Sequence, residues 1–155
     1  MSNYHLAQLN IAKMLADIDD PLMKDFVDNL DIVNGLADSS PGFVWRLETE
    51  DGDATALRVF EDDMLIVNMS VWESVETLKF FVYDSFHLQI LKRKKEWFNK
   101  IDGVFQVMWW IKAGNIPDVS EARARLDYLQ SNGVSEFAFN FQKSFPASDQ
   151  HLNLP

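Results

Sequence analysis

Alternation and helical spacing of apolar residues divide the chain into a succession of strands and helices. Residues 4 to 11, YHLAQLNI, alternate, with Ala7, Leu9 and Ile11 on one side and Tyr4, Leu6, Gln8 and Asn10 on the other. Asp19, Asp20 and Pro21 make a helix start. Leu22, Phe26, Leu30 and Val33 then recur at helical spacing, and Asn34-Gly35 is expected to stop that helix. Pro41-Gly42 opens a second strand, FVWRLETE, and Asp51-Gly52 lies in a polar loop. MLIVNMSVW, residues 64 to 72, is the most regular strand pattern in the chain, and Ser74 after it suits an N-cap with Glu76 in the first turn. From Val75 to about Lys100 the pattern is helical, with a break expected near Asp84-Ser85. VFQVMWWIK, 104 to 112, reads as a fourth strand. Asp118 and Glu121 have capping-box spacing for a helix from Val119 to Gln130 that closes at Asn132-Gly133. Phe137, Phe139 and Phe141 alternate as a last short strand, and the chain from about Ser144 reads as loose.

The order β-α-β-β-α-β with an added α-β matches the ferredoxin-like split βαβ unit. This is an α+β fold with an antiparallel sheet and helices on one face. It implies one domain over 1–146 and a loose C-terminal tail over 147–155. In the main strands one alternate set is almost wholly apolar: Phe43, Trp45 and Leu47; Leu65, Val67, Met69 and Val71; Phe105, Val107, Trp109 and Ile111. That set is expected under the helices. The opposite set mixes Gln8, Asn10, Arg46, Asn68, Ser70 and Gln106 with Ile66, Met108 and Trp110. A solvated sheet face does not normally carry so much bulk, so this face is expected to be covered too, most simply by a second copy of the chain.

Composition narrows the classes. Apolar residues at 47% and aromatics at 13% exclude a disordered chain. The absence of cysteine removes disulfides, thiolate metal sites and thiol nucleophiles, and agrees with a reducing compartment. The first residues, MSNYHLAQLN, lack the cationic and apolar regions of a leader, and VFQVMWWI is far short of a membrane span, so a cytoplasmic location with no membrane partner is expected. A net charge of −10 repels the phosphate backbone and argues against nucleic acid; the run Lys92, Arg93, Lys94 and Lys95 wraps around a helix rather than forming a patch.

FVWRL at 43 to 47, VWES at 71 to 74, FVY followed by His87, WF at 97 and 98, and WWIKAG at 109 to 114 resemble a little-characterised bacterial domain-of-unknown-function family of the dimeric α+β barrel superfamily. The resemblance covers roughly residues 4 to 146. It implies a homodimer and a kinship with antibiotic-biosynthesis monooxygenase-like proteins, among which a Trp-x-Ser junction is followed by helical histidines. Trp72, Ser74 and His87 look similar to that layout, with Tyr83 near the place of a first histidine.

Tyr83 and His87, at i and i+4, are expected on one helical face, where a neutral imidazole could move a proton or bind haem iron with the phenol as its hydrogen-bond partner. A histidine on such a face is also an ordinary core or interface residue. Trp72, Trp109 and Trp110 could wall an aromatic cavity or fill the core, and Arg46 and Asn68 on the mixed face need partners across a dimer or on a ligand. No metal site is expected, since His5, His87 and His151 lack ligand spacing and Glu50-Asp51-Gly52-Asp53 and Glu61-Asp62-Asp63 lack the calcium-loop pattern. The leading reading is a monooxygenase-like homodimer that binds and oxidises a small hydrophobic or aromatic molecule without a cofactor, with His87 as base. A haem-binding protein and a non-enzymatic ligand-binding or interaction dimer are the alternatives.

Overall fold

The structure, a computed structural model, describes residues 3–47, 64–84, 87–101 and 103–147. The acidic segments at 50–53 and 61–63, the end of FVWRLETE, Ser85, His151 and the tail after residue 147 lie outside the described residues. In chain order the elements are β1 (Tyr4–Met14), a 3-10 turn (Pro21–Met23), α1 (Lys24–Asp38), β2 (Phe43–Arg46), β3 (Leu65–Trp72), α2 (Val75–Asp84), α3 (His87–Lys92), a 3-10 turn (Lys94–Glu96), β4 (Phe98–Asn99), β5 (Gln106–Lys112) and α4 (Val119–Asn132).

β1 is the centre of an antiparallel sheet. One edge pairs with β3, which in turn pairs with β2; the other pairs with β5 over residues 4 to 10 and with β4 at Lys13 and Met14. The order β2-β3-β1-β5 is that of the ferredoxin-like split unit, so the α+β fold is as the element order implied. Local chemistry sets the boundaries. The Asp118 carboxylate accepts the Glu121 N–H at 2.7 Å to start α4, and Gly133, at φ 80°, ends it. Ser74 and Thr77 cap α2 reciprocally: Ser74 Oγ accepts the Thr77 N–H at 3.1 Å, and Thr77 Oγ1 accepts the Ser74 N–H at 3.2 Å.

The two sheet faces are covered in the reverse of the expected sense. The apolar set Ala7, Leu9, Val67, Met69, Val71, Val107, Trp109 and Ile111 packs against Ala122, Leu126 and Leu129 of the added helix α4. The mixed set lies under the helices of the split unit. Leu6, Trp72, Met108 and Trp110 meet Ala37 of α1 with Leu78 and Phe81 of α2, and Met14 meets Met23, Phe26 and Trp97 at the other end. Both faces are therefore covered within one chain. Mixed strands can sit under helices because their polar groups pair with one another and with α1, a possibility that alternation alone does not reveal.

Four further features differ. α1 runs through Asn34-Gly35 to Asp38, because the added turn carries Ala37, one turn after Val33, into the cluster around Trp72. The helical stretch after Asp84 ends at Lys92, and Trp97 and Phe98 leave it to pack on Phe26 beside β1. β2 has an irregular register between Phe43 and Trp45, so Phe43 joins the helical side, against Trp72, while Trp45 packs on the α4 side. The last strand reduces to a bridge between Phe139 and Met108; Phe137 packs on the α4 side and Phe139 on the other.

Candidate functional site

On the side of α1 and α2 the strand register arranges side chains in rows across the sheet. Phe43, Trp72, Leu6 and Trp110 form an apolar row. The next two are polar. Arg46, Ser70 and Gln8 lie beside Met108, then Asn68, Asn10 and Gln106 follow, before Ile66 and Ala12 return to apolar character. A polar band is thus held between two apolar clusters beneath the helices. It is closed at Ser70 and Gln8, which are buried, and reaches solvent at Asn68, which is exposed.

The hydrogen bonds of this band form one network. Gln8 Nε2 donates to Asn68 Oδ1 at 2.9 Å and to Ser70 Oγ at 2.8 Å, and Trp72 Nε1 donates to the same hydroxyl at 2.9 Å. Gln8 is 3% exposed, yet its Oε1 is buried without a hydrogen-bond partner among the described residues. Turning the amide over would only exchange the orphan, leaving an N–H group in its place. A buried polar atom left so costs about 1–3 kcal/mol unless something binds to it. Arg46 is committed elsewhere on this face: its Nε and Nη2 grip Asp38 at the end of α1, at 2.8 and 3.3 Å.

The residues singled out from sequence fall into three places. Trp72 and Trp110 share the helical side and flank Leu6. Trp72 packs between Phe43 and Phe81, and the Trp110 indole donates to Phe145 O at 2.7 Å. Trp109 is on the opposite face, donating to Glu121 Oε1 at 2.8 Å, so the three tryptophans do not wall one cavity. Tyr83, in α2, and His87, the first residue of α3, pack against different neighbours. The Tyr83 ring is half exposed against Phe141, whereas the imidazole packs on Phe81 with ring centroids 5.1 Å apart. Phe81 in turn stacks on Trp72, which links His87 to the polar band.

His87 brings an imidazole into contact with that linkage. Burial pushes its pKa below the ordinary imidazole value, opposed by the bond between Nδ1 and Val82 O at 3.3 Å. A proton on Nδ1 satisfies that carbonyl and leaves the lone pair on Nε2, so the neutral ring has the form of a base. Amides and a serine can orient a donor-bearing molecule but cannot exchange protons with it near neutral pH. Among the described residues no three acidic or histidine side chains converge as metal ligands.

Sequence reasoning placed Gln8 on the mixed face but passed over Arg125. This residue is 3% exposed, with Nη1 donating to Phe137 O at 2.9 Å and Nη2 3.5 Å from Glu121. Its guanidinium lies over the Phe137 ring at 4.1 Å, and burial lowers its pKa while Glu121 opposes the shift. The signal was available: Ala122, Leu126 and Leu129 make an apolar stripe, and an arginine within it needs a reason.

Among curated proteins none matches the chain. Solved structures do. A Nitrosomonas europaea protein assigned provisionally to the antibiotic biosynthesis monooxygenases is 9% identical, with a TM-score of 0.47 over 74% of this chain and 93% of that one. SnoaB, a cofactor-independent oxygenase from Streptomyces nogalater, is 13% identical with a TM-score of 0.47 over 72% and 95%. At the level of sequence a family match spans the sheet, the polar band and both helical layers, residues 5–154: the chain belongs to the family described as Domain of unknown function (DUF3291).

Proposed function

We propose that the helix-covered face of the sheet binds a small, flat, largely apolar molecule bearing a hydroxyl group, a phenol or quinol in type. The observation that carries this reading is the buried Gln8 Oε1, an acceptor without a partner among the described residues, in a band bordered by apolar clusters. A hydroxyl donor there would complete the network of Gln8, Asn68, Ser70 and Trp72, and the rings of Trp72 and Phe81 would border it. The test is binding of hydroquinone and simple phenols, followed by calorimetry or thermal shift, to the natural chain and to Gln8→Met. Saturable binding that weakens by roughly tenfold in Gln8→Met, for loss of one buried hydrogen bond, is expected. Equal affinity in a Gln8→Met protein of native circular dichroism would remove the proposal.

A second reading, monooxygenase-like oxidation, is favoured by the neutral form of His87. A quinol that loses a proton to Nε2 becomes electron-rich enough to react with oxygen unaided by a cofactor. Oxygen uptake with hydroquinone that disappears in His87→Ala would carry the reaction; uptake indifferent to that change would leave binding alone. Haem titration separates the haem alternative, with a Soret band lost in His87→Ala as its signature. The proposal includes a homodimer that meets through helix surfaces, where Ile32, Leu36, Phe80 and Tyr83 are exposed, rather than through the sheet.

A further inference from the structure

The polar band beneath α1 and α2 has a second row that the network around Gln8 does not use up. Asn68 of β3 pairs with Asn10 of β1, and Asn10 pairs with Gln106 of β5, so three carboxamides lie side by side on adjacent strands. Asn68 is exposed while Asn10 and Gln106 are half-buried, which puts this row at the open end of the band; Gln8 and Ser70 form its closed end. Residues two apart on a strand share a face and stand about 6.5–7 Å apart, twice the rise of one residue. Gln8 and Asn10 are so related, and that step matches the span of a benzene ring with groups at its para positions.

Hydrogen bonding leaves this row open. Asn68 Oδ1 accepts Gln8 Nε2 at 2.9 Å, so the Asn68 amide is fixed with its Nδ2 group left to donate. The side chains of Asn10 and Gln106 make no hydrogen bond among the described residues, and each keeps a donor and an acceptor. Met108 lies beside Gln8, and Ile66, with Leu30 of α1 and Ile90 of α3, supplies the apolar border beyond Asn68. A row built of amides alone presents donors and acceptors without charge. It suits a neutral group that both accepts and donates.

We propose that the molecule taken by this face is a phenol carrying a neutral group of carboxamide type at the para position. The proposal rests on the hydroxyl contact at Gln8 Oε1 given under the proposed function, and adds what the site selects at the other end. The ligand carbonyl accepts from Asn68 Nδ2, its N–H groups donate to the side-chain oxygens of Asn10 and Gln106, and the ring lies between the two rows beside Met108.

The experiment is calorimetric titration of the full chain with phenol, 4-hydroxybenzamide, 3-hydroxybenzamide and 4-hydroxybenzoate. The para amide should bind at least about tenfold more tightly than phenol, for the hydrogen bonds added at the open row. Moving the amide to the meta position, or replacing it by the carboxylate, should remove most of that advantage. In proteins of native circular dichroism, Gln106→Met and Asn10→Leu should each cut the ratio of para-amide to phenol affinity by about fivefold. Gln8→Met should instead weaken both compounds and leave their ratio in place. Phenol bound through Gln8 with the para amide no tighter, equal affinity for the para and meta amides, or a ratio untouched by both row variants would overturn the carboxamide proposal and leave the Gln8 contact standing. Phenol affinity indifferent to Gln8→Met would remove both.

Discussion

His87 couples stability to pH through its burial. Its folded pKa lies below the value of about 6.5 that an unfolded histidine shows, so the unfolded chain binds the extra proton first on acidification. The contribution is complete above the unfolded value and is lost as pH falls from there toward the folded pKa. Melting temperatures measured from pH 7.5 down to 5 should therefore decline, and His87→Gln should flatten the part of that slope due to this group. An unchanged slope would mean that other groups set it. The sequence allowed His87 to be named, but not its surroundings, since its contacts with the Phe81 ring and Val82 O are not set by the i, i+4 spacing from Tyr83. Gln8 was legible as a polar residue on a bulky face; its orphaned oxygen depends on the positions of Ser70 and Asn68, sixty residues away, and no local pattern encodes that.

At the scale of elements, two glycines make opposite forecasts. Gly35 lies inside α1 without a positive φ, and a Cβ there would meet nothing within 4 Å. Gly35→Ala should raise stability by about 0.5–1 kcal/mol in denaturant unfolding. Gly42 turns the chain from α1 into β2 at φ 79°, and a Cβ there would collide with the Thr77 side chain that caps α2. Gly42→Ala should cost on the order of 1–3 kcal/mol. The same pair explains where sequence signals held and failed. Capping at Asp118 and Ser74 is chemistry among neighbours and was readable. The stop expected at Gly35 was not enforced, because burying Ala37 against the Trp72 cluster offsets a glycine penalty of about 1 kcal/mol. Likewise, the irregular pairing at Phe43 and Trp45 reverses the phase of β2 and depends on the partner strand.

For the whole molecule, strand order followed from the succession of elements, whereas the assignment of faces did not. Two apolar-bearing faces and too few helices suggested a partner, but α4 supplies the second layer from the same chain, with Leu126 1% exposed. Leu126→Ala should thus cost about 2–5 kcal/mol even in a monomer. Sedimentation should give a dimer that Phe80→Glu converts to a folded monomer; a monomer for the natural chain at tens of micromolar would end the proposal of self-association through the helices. The central position of β1 also has a bearing on biosynthesis. Leu6 of β1 pairs with Trp72 on one side and, on the other, with Trp110, about a hundred residues downstream. Folding during translation is therefore confined to fragments until β5 has emerged, and closing that long loop is the step expected to govern how fast the finished chain becomes native.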